Sequence, residues 1–520
     1  MSSLYGLPLP VLTDSYKTTH PFLYPEAKKV ELMSRMDRFT HNRLSFCSAL
    51  RTENSGVDLM GTKKTRVSCF MGSDTCRIEN YVAKKWTLED VELAGKFFET
   101  HNAGYTNFPF PKDLFLKFIE ENDGYFPIKI EALPEGTSCH AHTPVYQITA
   151  EGEYALLVTF LETLITSVWY PSTVATLSRR ARDIIEQAYK DTVDEDGYWS
   201  LESRLHDFGF RGCTCLEQSI IGGSAHLVNF IGTDTMSAGY YVQYKLNNGK
   251  PIASSIPATE HSVMTAHKTE RDAILQMINR FGIGAFACVM DSFDYANALE
   301  NVLPSIAFQK VDKGGFMVLR PDSGDQVEAV LMALRASDKV FGSDVNKKGY
   351  KIIRGCGVIQ GDGVTIPTLR AILAAVKEAG YSAQNVAFGM GGGLLQKVNR
   401  DTMSFATKLC HITYADGEKR DIMKIPTTDS GKISLPGEFV VKKNAEGVPI
   451  VHPKECCPAN DPDNLLRVVY DHGKISQWDD FDTIRKRVAK EWPALPKVYN
   501  NISPELKEKV DRVTKEIRSS

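Results

Sequence analysis

Short apolar runs recur between residues 205 and 400, and each ends in polar or glycine-rich residues that precede a segment of helical periodicity. The clearest run, at 316–319, ends in Arg320, Pro321 and Asp322. Seven such run ends follow one another, at 206–212, 232–234, 255–262, 289–292, 320–325, 359–363 and 388–393. Strand–helix units in series predict a closed or nearly closed parallel barrel whose loops converge on one face, with an open doubly wound sheet as the alternative.

The flanking parts of the chain show a different pattern, in which strand-like segments alternate with a few helices. Strands are predicted at 29–36, 128–133, 145–148, 412–414 and 439–441. Helices are predicted at 87–100, capped by Thr87 with Asp90 at the third position, at 154–170, ending before Pro171, at 172–190, and from Ser503 onward. The predicted fold class is α/β: a barrel-like domain at 171–400 and a β-rich α+β domain built from 1–170 and 401–520.

The composition changes this picture only by excluding partners. The 520 residues are 42% hydrophobic and 24% charged, with a net charge of -3 and a pI near 6.5. No basic field is available for nucleic acid or an anionic membrane, so neither is an expected partner. The N-terminus lacks the zones of a signal peptide, and Glu162 interrupts the apolar run at 154–170, so a cytoplasmic protein is expected. The eleven cysteines show no paired CxxC spacing and are expected to be reduced.

The ends of the barrel strands carry the candidate chemistry. The cations are Arg211, His261 and Arg320, the carboxylates are Asp234, Asp291, Asp322 and Asp362, and the aromatic ring is Phe208. Unpaired amides in the glycine-rich stretch 389–393, ahead of a helix, can hold an anion. Together these groups suggest a phosphorylated sugar and a flat ring as ligands. Plain tight turns at 320–324 and 389–393 are the structural alternatives.

The sequences of these motifs resemble those of the nicotinate/nicotinamide phosphoribosyltransferase family, in particular those of its members that use nicotinamide. The matching stretches are His206-Asp-Phe-Gly-Phe-Arg-Gly, Gly232-Thr-Asp-Thr, Pro257-Ala-Thr-Glu-His-Ser, Arg320-Pro-Asp-Ser-Gly, Gln360-Gly-Asp-Gly-Val, Gly391-Gly-Gly-Leu-Leu-Gln-Lys and Asp14-Ser-Tyr-Lys. The resemblance covers most of the chain. Departures are Met390, where the family more usually has a small hydroxyl residue, and Cys213, Thr214 and Cys215 after Gly212.

The resemblance implies a type II phosphoribosyltransferase fold and a homodimer with each active site at the subunit interface. It also implies a reaction that joins nicotinamide to 5-phosphoribosyl 1-diphosphate, giving nicotinamide mononucleotide and diphosphate in NAD salvage. Mg²⁺ would be present, held through water by Asp291 or Asp322. ATP would act as a coupling co-substrate that phosphorylates His261.

Residue roles carried over from the family fall into four groups. Phe208 and the other subunit's Tyr16 would sandwich the pyridine ring, and Asp234 would accept a hydrogen bond from its carboxamide. Arg211, His261 and Arg320 would hold the diphosphate. Asp322 and Gly361 would bind the ribose hydroxyls. Asp362, Gly391, Gly392 and Arg400 would line the 5′-phosphate site, with Arg35 or Arg38 as a further candidate.

Two alternative functions stay open at this point. A nicotinate phosphoribosyltransferase of the same fold is the nearer one, although Asp234 would repel a carboxylate substrate. A non-catalytic binding or signalling protein on the same scaffold is disfavoured because every matched site residue is present. Two predicted long loops, 40–66 and 450–464, have no functional interpretation.

Overall fold

The computed structural model describes residues 8–11, 27–36, 66–68, 78–427 and 433–519. The chain divides into two compact units, one formed by Met1–Thr173 with Asn399–Ser520 and the other by Val174–Val398. The described strands are β1 (Ala27–Met36), β2 (Arg66–Ser68), β3 (Ile128–Ala132), β4 (Ser138–His140), β5 (Tyr146–Glu151), β6 (Leu205–Asp207), β7 (Gly232–Thr233), β8 (Ala285–Val289), β9 (Phe316–Arg320), β10 (Ser343–Val345), β11 (Lys351–Ile353), β12 (Cys356–Gln360), β13 (Val386–Met390), β14 (Phe405–Tyr414), β15 (Lys419–Asp421), β16 (Phe439–Lys443), β17 (Pro449–Pro453), β18 (Arg467–Asp471) and β19 (Lys474–Ile475).

The longer described α-helices are Leu88–Phe98, Lys112–Glu121, Trp169–Thr192, Leu216–Leu227, Glu270–Phe281, Gln326–Phe341, Ile366–Glu378, Phe481–Ala494 and Pro504–Ser519. Shorter ones include Glu162–Thr166, Met236–Tyr241, His261–Ala266, Ala307–Lys313 and Gly392–Leu395. The helix at Leu88–Phe98 begins at Thr87, which forms the predicted capping box with Asp90.

The first unit contains an antiparallel sheet in the order β15-β14-β1-β5-β3-β18-β19. Strand β1 lies between β5, from the N-terminal part of the chain, and β14, from the C-terminal part. This confirms the β-rich domain built from both ends of the sequence. The predicted loop at 450–464 is wrong at its start, because residues 450–453 belong to β17 and pair with β16. The predicted loop at 40–66 lies outside the described residues except for Arg66, which begins β2.

The core of the first unit contains an aromatic cluster and a second, mixed hydrophobic cluster. Trp86 lies 5.3 to 5.7 Å, between ring centroids, from Phe115, Phe118, Phe126 and Phe160. The predicted C-terminal helix packs Leu506 into a second cluster with Met33 and Phe439, and Val510 lies against that cluster. Burial of such side chains stabilises a fold by about 1.5 to 3 kcal/mol each.

The second unit is a parallel barrel. Its sheet has the order β7-β6-β13-β12-β9-β8, and every pair is parallel. Residues 254–258 connect the two edge strands. Ser254 forms a β-bridge with Gly232 of β7, and Ala258 forms one with Ala287 of β8. Around the barrel, the seven segments follow one another in chain order, and each ends at one of the seven predicted polar stretches. The barrel-like fold is therefore confirmed over the open doubly wound sheet.

The predicted helix boundary at Pro171 is wrong. The segment before it forms a 3-10 helix at Gly152–Leu161 and a short α-helix at Glu162–Thr166, whereas the next helix begins at Trp169 and includes Pro171. Proline is tolerated in the first turn of a helix because amide groups there have no intrahelical partner. In the part of the chain that the structure describes, no helix is long and apolar enough to cross a membrane.

Candidate functional site

A charged cluster forms where β9 and β8 end. The guanidinium of Arg320, the last residue of β9, donates to Asp322 Oδ1 at 3.0 Å. The amide of Asp322 donates to Asp291 Oδ2 at 2.9 Å, and Ser323 Oγ donates to the same oxygen. The Asp291 side chain is 3% exposed, and its other oxygen, Oδ1, accepts no hydrogen bond. A buried carboxylate oxygen without a donor is costly unless a cation or water completes it.

His261 lies beside these carboxylates at the start of the helix His261–Ala266. Its Nδ1 is 3.0 Å from Ser292 Oγ, which fixes the orientation of the ring. Its Nε2 lies 3.4 Å from Asp322 Oδ2 and 3.9 Å from Asp291 Oδ1. The side chain is 48% exposed, so a ligand can reach it. A histidine held at one nitrogen and open at the other can bind an anion or accept a phosphoryl group.

Phe208 packs against glycine backbone. A Cβ atom at Gly389 would lie 2.0 Å from Phe208 Cε2, and one at Gly361 would lie 3.2 Å from the same atom. The Arg320 guanidinium carbon is 5.7 Å from the centroid of the Phe208 ring. The glycines therefore let the ring lie against the ends of β13 and β12, next to the charged cluster. Gly391 lies under the Phe208 carbonyl, where a Cβ would be 3.2 Å from the oxygen.

Asp207 connects the ends of β6 and β7. Its carboxylate accepts from the amide of Gly209 at 2.7 Å, and its carbonyl accepts from the amide of Asp234 at 2.9 Å. Burial raises the pKa of the Asp207 carboxyl to about 6. The exposed side chain of Asp234 accepts a hydrogen bond from Ser255 Oγ. Asp207 thus ties together the two loops that carry Phe208 and Asp234.

The predicted site residues divide into three sets. The structure joins His261, Arg320, Asp322, Phe208, Gly361 and Gly391 through the contacts given above. Asp234, Arg211, Asp362 and Gly392 follow β7, β6, β12 and β13, respectively, at the same end of the strands. Arg211 and Asp362 are exposed. Arg400 belongs to the first unit, where it contacts Asp401 at 3.2 Å, and Tyr16 and Arg38 lie outside the described residues.

Sequence reasoning missed three residues that orient the predicted ones. Ser255 contacts Asp234, Ser292 contacts His261, and Asp207 accepts from the backbone amides of Gly209 and Asp234. Ser255 and Ser292 stand in the polar stretches 255–262 and 289–292, so their positions were available as signals. The hydrogen-bond partners of these two serines could not be predicted, because serine is common in turns and its hydrogen bonds depend on the neighbouring strand.

Comparisons with known proteins identify the family of the chain. Residues 203–474 match the sequence model of the Nicotinate phosphoribosyltransferase (NAPRTase) family. A protein named nicotinamide phosphoribosyltransferase from Xanthomonas campestris pv. campestris (strain 8004) is 40% identical over 381 residues, covering 71% of this chain and 81% of that protein. A protein of the same name from Mycoplasma genitalium is 28% identical over 458 residues, covering 83% and 95% of the two chains.

Solved structures show the same fold at low sequence identity. Human Nicotinic Acid Phosphoribosyltransferase aligns with a TM-score of 0.62 and 16% identity, over 97% of this chain and all of that one. Nicotinate-nucleotide pyrophosphorylase from Pyrococcus furiosus aligns with a TM-score of 0.55 and 14% identity, over 95% and 97% of the two chains.

Proposed function

The chain belongs to the nicotinate phosphoribosyltransferase family, and on that premise we propose that it condenses nicotinamide with 5-phosphoribosyl 1-diphosphate. The products are nicotinamide mononucleotide and diphosphate, which makes the protein an NAD-salvage enzyme. The single observation that carries the choice of substrate is Asp234, an exposed carboxylate at the end of β7. A carboxylate accepts hydrogen bonds from an amide and repels another carboxylate. The names of the sequence relatives support the same substrate.

The substrates are assigned to the site as the family resemblance implies. Phe208 stacks on the pyridine ring and Asp234 accepts from its carboxamide. Arg211, His261 and Arg320 hold the diphosphate, while Asp322 and Gly361 bind the ribose hydroxyls. Asp362, Gly391 and Gly392 line the 5′-phosphate site. Each charge-assisted hydrogen bond from an arginine contributes about 1.5 to 3 kcal/mol.

The chemical step is a displacement at C1 of the ribose. The pyridine nitrogen forms a bond to C1 while the C1–O bond breaks, and the electron pair of that bond leaves with the diphosphate. The sugar becomes cationic as the bond breaks, so the protein mainly orients the reactants and neutralises the leaving group. Arg320 suits this role because Asp322 already fixes its guanidinium.

Asp291 and Asp322 fit a magnesium ion. The oxygen Asp291 Oδ1 is buried and has no hydrogen-bond donor, and Asp322 lies next to it. Mg²⁺ in phosphate-binding sites usually takes one or two carboxylates and completes its shell with water and substrate oxygens. When bound, the ion would neutralise charge on the diphosphate.

His261 is assigned to the coupling with ATP. Its Nε2 would attack the terminal phosphorus of ATP, the bond to ADP would break, and the phosphohistidine would later be hydrolysed. His261 lies beside Asp322, which pairs with the proposed diphosphate-binding residue Arg320, and this position supports the role. A phosphoryl group there would change the charge that the diphosphate meets.

A homodimer completes the proposal, because Tyr16 of the partner subunit would cover the face of the nicotinamide ring opposite Phe208. A flat ring gains most from stacking when both of its faces are covered by aromatic side chains. The support for the dimer is the family resemblance.

Turnover with nicotinamide and with nicotinate tests the proposal and its nearest rival. The wild type is expected to prefer nicotinamide, and Asp234→Asn is expected to lose most of that preference because the charge that repels nicotinate is gone. The measurement is kcat/KM for both substrates at saturating phosphoribosyl diphosphate and Mg²⁺.

Asp362→Asn is the matched control, since it removes a carboxylate assigned to the phosphate end. It is expected to change the KM of phosphoribosyl diphosphate and to leave the choice between the two pyridines unaltered. An equal preference before and after Asp234→Asn would contradict the assignment, and no turnover at all would favour a non-catalytic protein.

A further inference from the structure

His206 faces the same side of β6 as Phe208. Its neighbours Leu205 and Asp207 are fully buried, and Asp207 Oδ2 would lie 3.1 Å from a Cβ at Gly223 in the helix Leu216–Leu227. Because side chains alternate along a strand, His206 and Phe208 point to the opposite face, the interior of the barrel.

Two glycines on the neighbouring strands fix these two rings. Gly232 is the cross-strand partner of His206, and a Cβ there would lie 2.8 Å from His206 Cδ2 and Cγ. Gly389 leaves the corresponding space for Phe208, and the two ring centroids are 6.2 Å apart. The imidazole therefore lies beside the surface on which the pyridine ring is proposed to stack.

The imidazole is uncharged at neutral pH. Burial lowers the pKa of His206 below its ordinary value, while the charge of Asp234 and a hydrogen bond to the Ser203 backbone act in the opposite direction and do not overcome it. In a neutral imidazole, one nitrogen is a donor and the other is an acceptor. The unprotonated ring nitrogen therefore carries a lone pair that can accept a hydrogen bond.

Resting on the proposed function, we propose that His206 is a specificity-determining residue whose unprotonated nitrogen accepts one amide hydrogen of nicotinamide while Asp234 accepts the other. The carboxamide carries two N–H bonds, and the two acceptors match them. Nicotinate carries none, so its carboxylate would meet a lone pair at His206 and a negative charge at Asp234. The site then rejects nicotinate with two groups instead of one.

Two substitutions at His206 test this role. His206→Phe keeps a ring in the space next to Gly232 but removes both nitrogens. It is expected to raise the KM of nicotinamide by about fivefold to tenfold, the effect of one hydrogen bond, with kcat within about twofold of the wild type. The KM of phosphoribosyl diphosphate is expected to stay unchanged, and the preference for nicotinamide over nicotinate to fall by the same factor. His206→Gln retains an acceptor oxygen and is expected to recover most of the preference.

His452→Phe is the matched control, because it makes the same change on β17 in the first unit. Binding of N-methylnicotinamide to the wild type adds a measurement that needs no variant at His206. This amide has lost one N–H and is expected to compete at least about tenfold more weakly than nicotinamide.

The outcomes separate the inference from the proposed function. A wild type without nicotinamide turnover overturns both. A wild type that uses nicotinamide, with a His206→Phe variant of unchanged preference, overturns the role of His206 alone. A loss that also affects kcat and the KM of phosphoribosyl diphosphate shows a structural role instead. Equal binding of N-methylnicotinamide and nicotinamide likewise contradicts the pairing of two acceptors with two hydrogens.

Discussion

His261 combines a fixed nitrogen with an open one, and this division suggests how one side chain could serve ATP coupling without taking part in bond formation at C1. Ser292 orients Nδ1, whereas Nε2 faces Asp322 and Asp291. We expect His261→Ala to abolish stimulation by ATP and to leave slow synthesis of nicotinamide mononucleotide. The measurement is the initial rate with and without ATP at fixed phosphoribosyl diphosphate. Unchanged ATP dependence in the variant would refute the role.

The glycine-rich stretch 389–393 is predicted to hold an anion, but the nearest neighbour of its first residue, Gly389, is the Phe208 ring. A Cβ there would overlap Phe208 at 2.0 Å, so Gly389→Ala must displace the ring. We expect a rise of about tenfold in the KM of nicotinamide and a loss of about 1 to 3 kcal/mol in the free energy of unfolding.

Gly284→Ala is the control for this substitution, because a Cβ there would meet only Phe281 O at 3.9 Å. Its kinetic constants and its thermal unfolding should match those of the wild type. If Gly389→Ala bound nicotinamide as tightly as the wild type, Phe208 would not be the surface on which the pyridine ring stacks.

Strand β1 lies in the middle of its sheet, and this position buries charged side chains that an edge strand would expose. Lys29 Nζ contacts Glu31 Oε1 at 2.9 Å and Glu438 Oε1 at 2.8 Å. Burial, followed by the charge of Glu438, raises the pKa of the Glu31 carboxyl to about 7 from an ordinary value of 4.5. Between these values the folded chain holds a proton that the unfolded chain releases, so stability falls as pH rises through that window.

We expect Glu31→Gln to remove this fall, because an amide stays neutral at every pH. Between pH 4.5 and 7.5 the wild type should lose about 3 kcal/mol more unfolding free energy than the variant, measured by denaturant unfolding. Glu151→Gln, on the neighbouring strand β5 and exposed, is the control and should follow the wild type. Parallel curves for the wild type and Glu31→Gln would contradict the buried proton.

Hydrophobic periodicity predicted the existence and type of the helices and strands better than it predicted their first and last residues. The strand at 29–36 and the capped helix from Leu88 are as predicted, because hydrophobic alternation and a capping box are local signals. Pro171 misled because proline in a first turn and proline after a last turn look alike in a sequence. The segment 254–258 forms isolated β-bridges and not a full strand. Sequence periodicity does not reveal this, because the pairing depends on strands far away in the chain.

The site was predictable as a set of strand ends but not as a set of contacts. Parallel topology brings the ends of β6, β9 and β12 to one edge, so Phe208, Arg320 and Asp362 follow from the fold alone. The position of Phe208 over Gly389 depends on side-chain packing across two strands, and the hydrogen bond from Ser255 to Asp234 depends on the turn geometry.

For the whole molecule, the barrel is a continuous insertion between the two halves of the β-rich unit. The proposed homodimer makes a stronger claim, that each active site draws on two chains. Tyr16→Ala and Phe208→Ala are each expected to lose most activity alone. Co-expressed and purified with two different affinity tags, every recovered dimer would be mixed and one of the two sites in each would be intact, so about half of the wild-type kcat per dimer should return.

The control for this complementation pairs Phe208→Ala with Arg320→Ala, which removes a group assigned to the diphosphate. Both residues lie on the barrel of one chain, so every site in a mixed dimer would still carry one of the two defects. No recovery is expected from this pair at any mixing ratio, measured as kcat per dimer after purification with two different affinity tags. Equal recovery in both pairs would mean that activity returns for another reason. Absence of recovery with Tyr16→Ala would show that Tyr16 does not complete the partner's site.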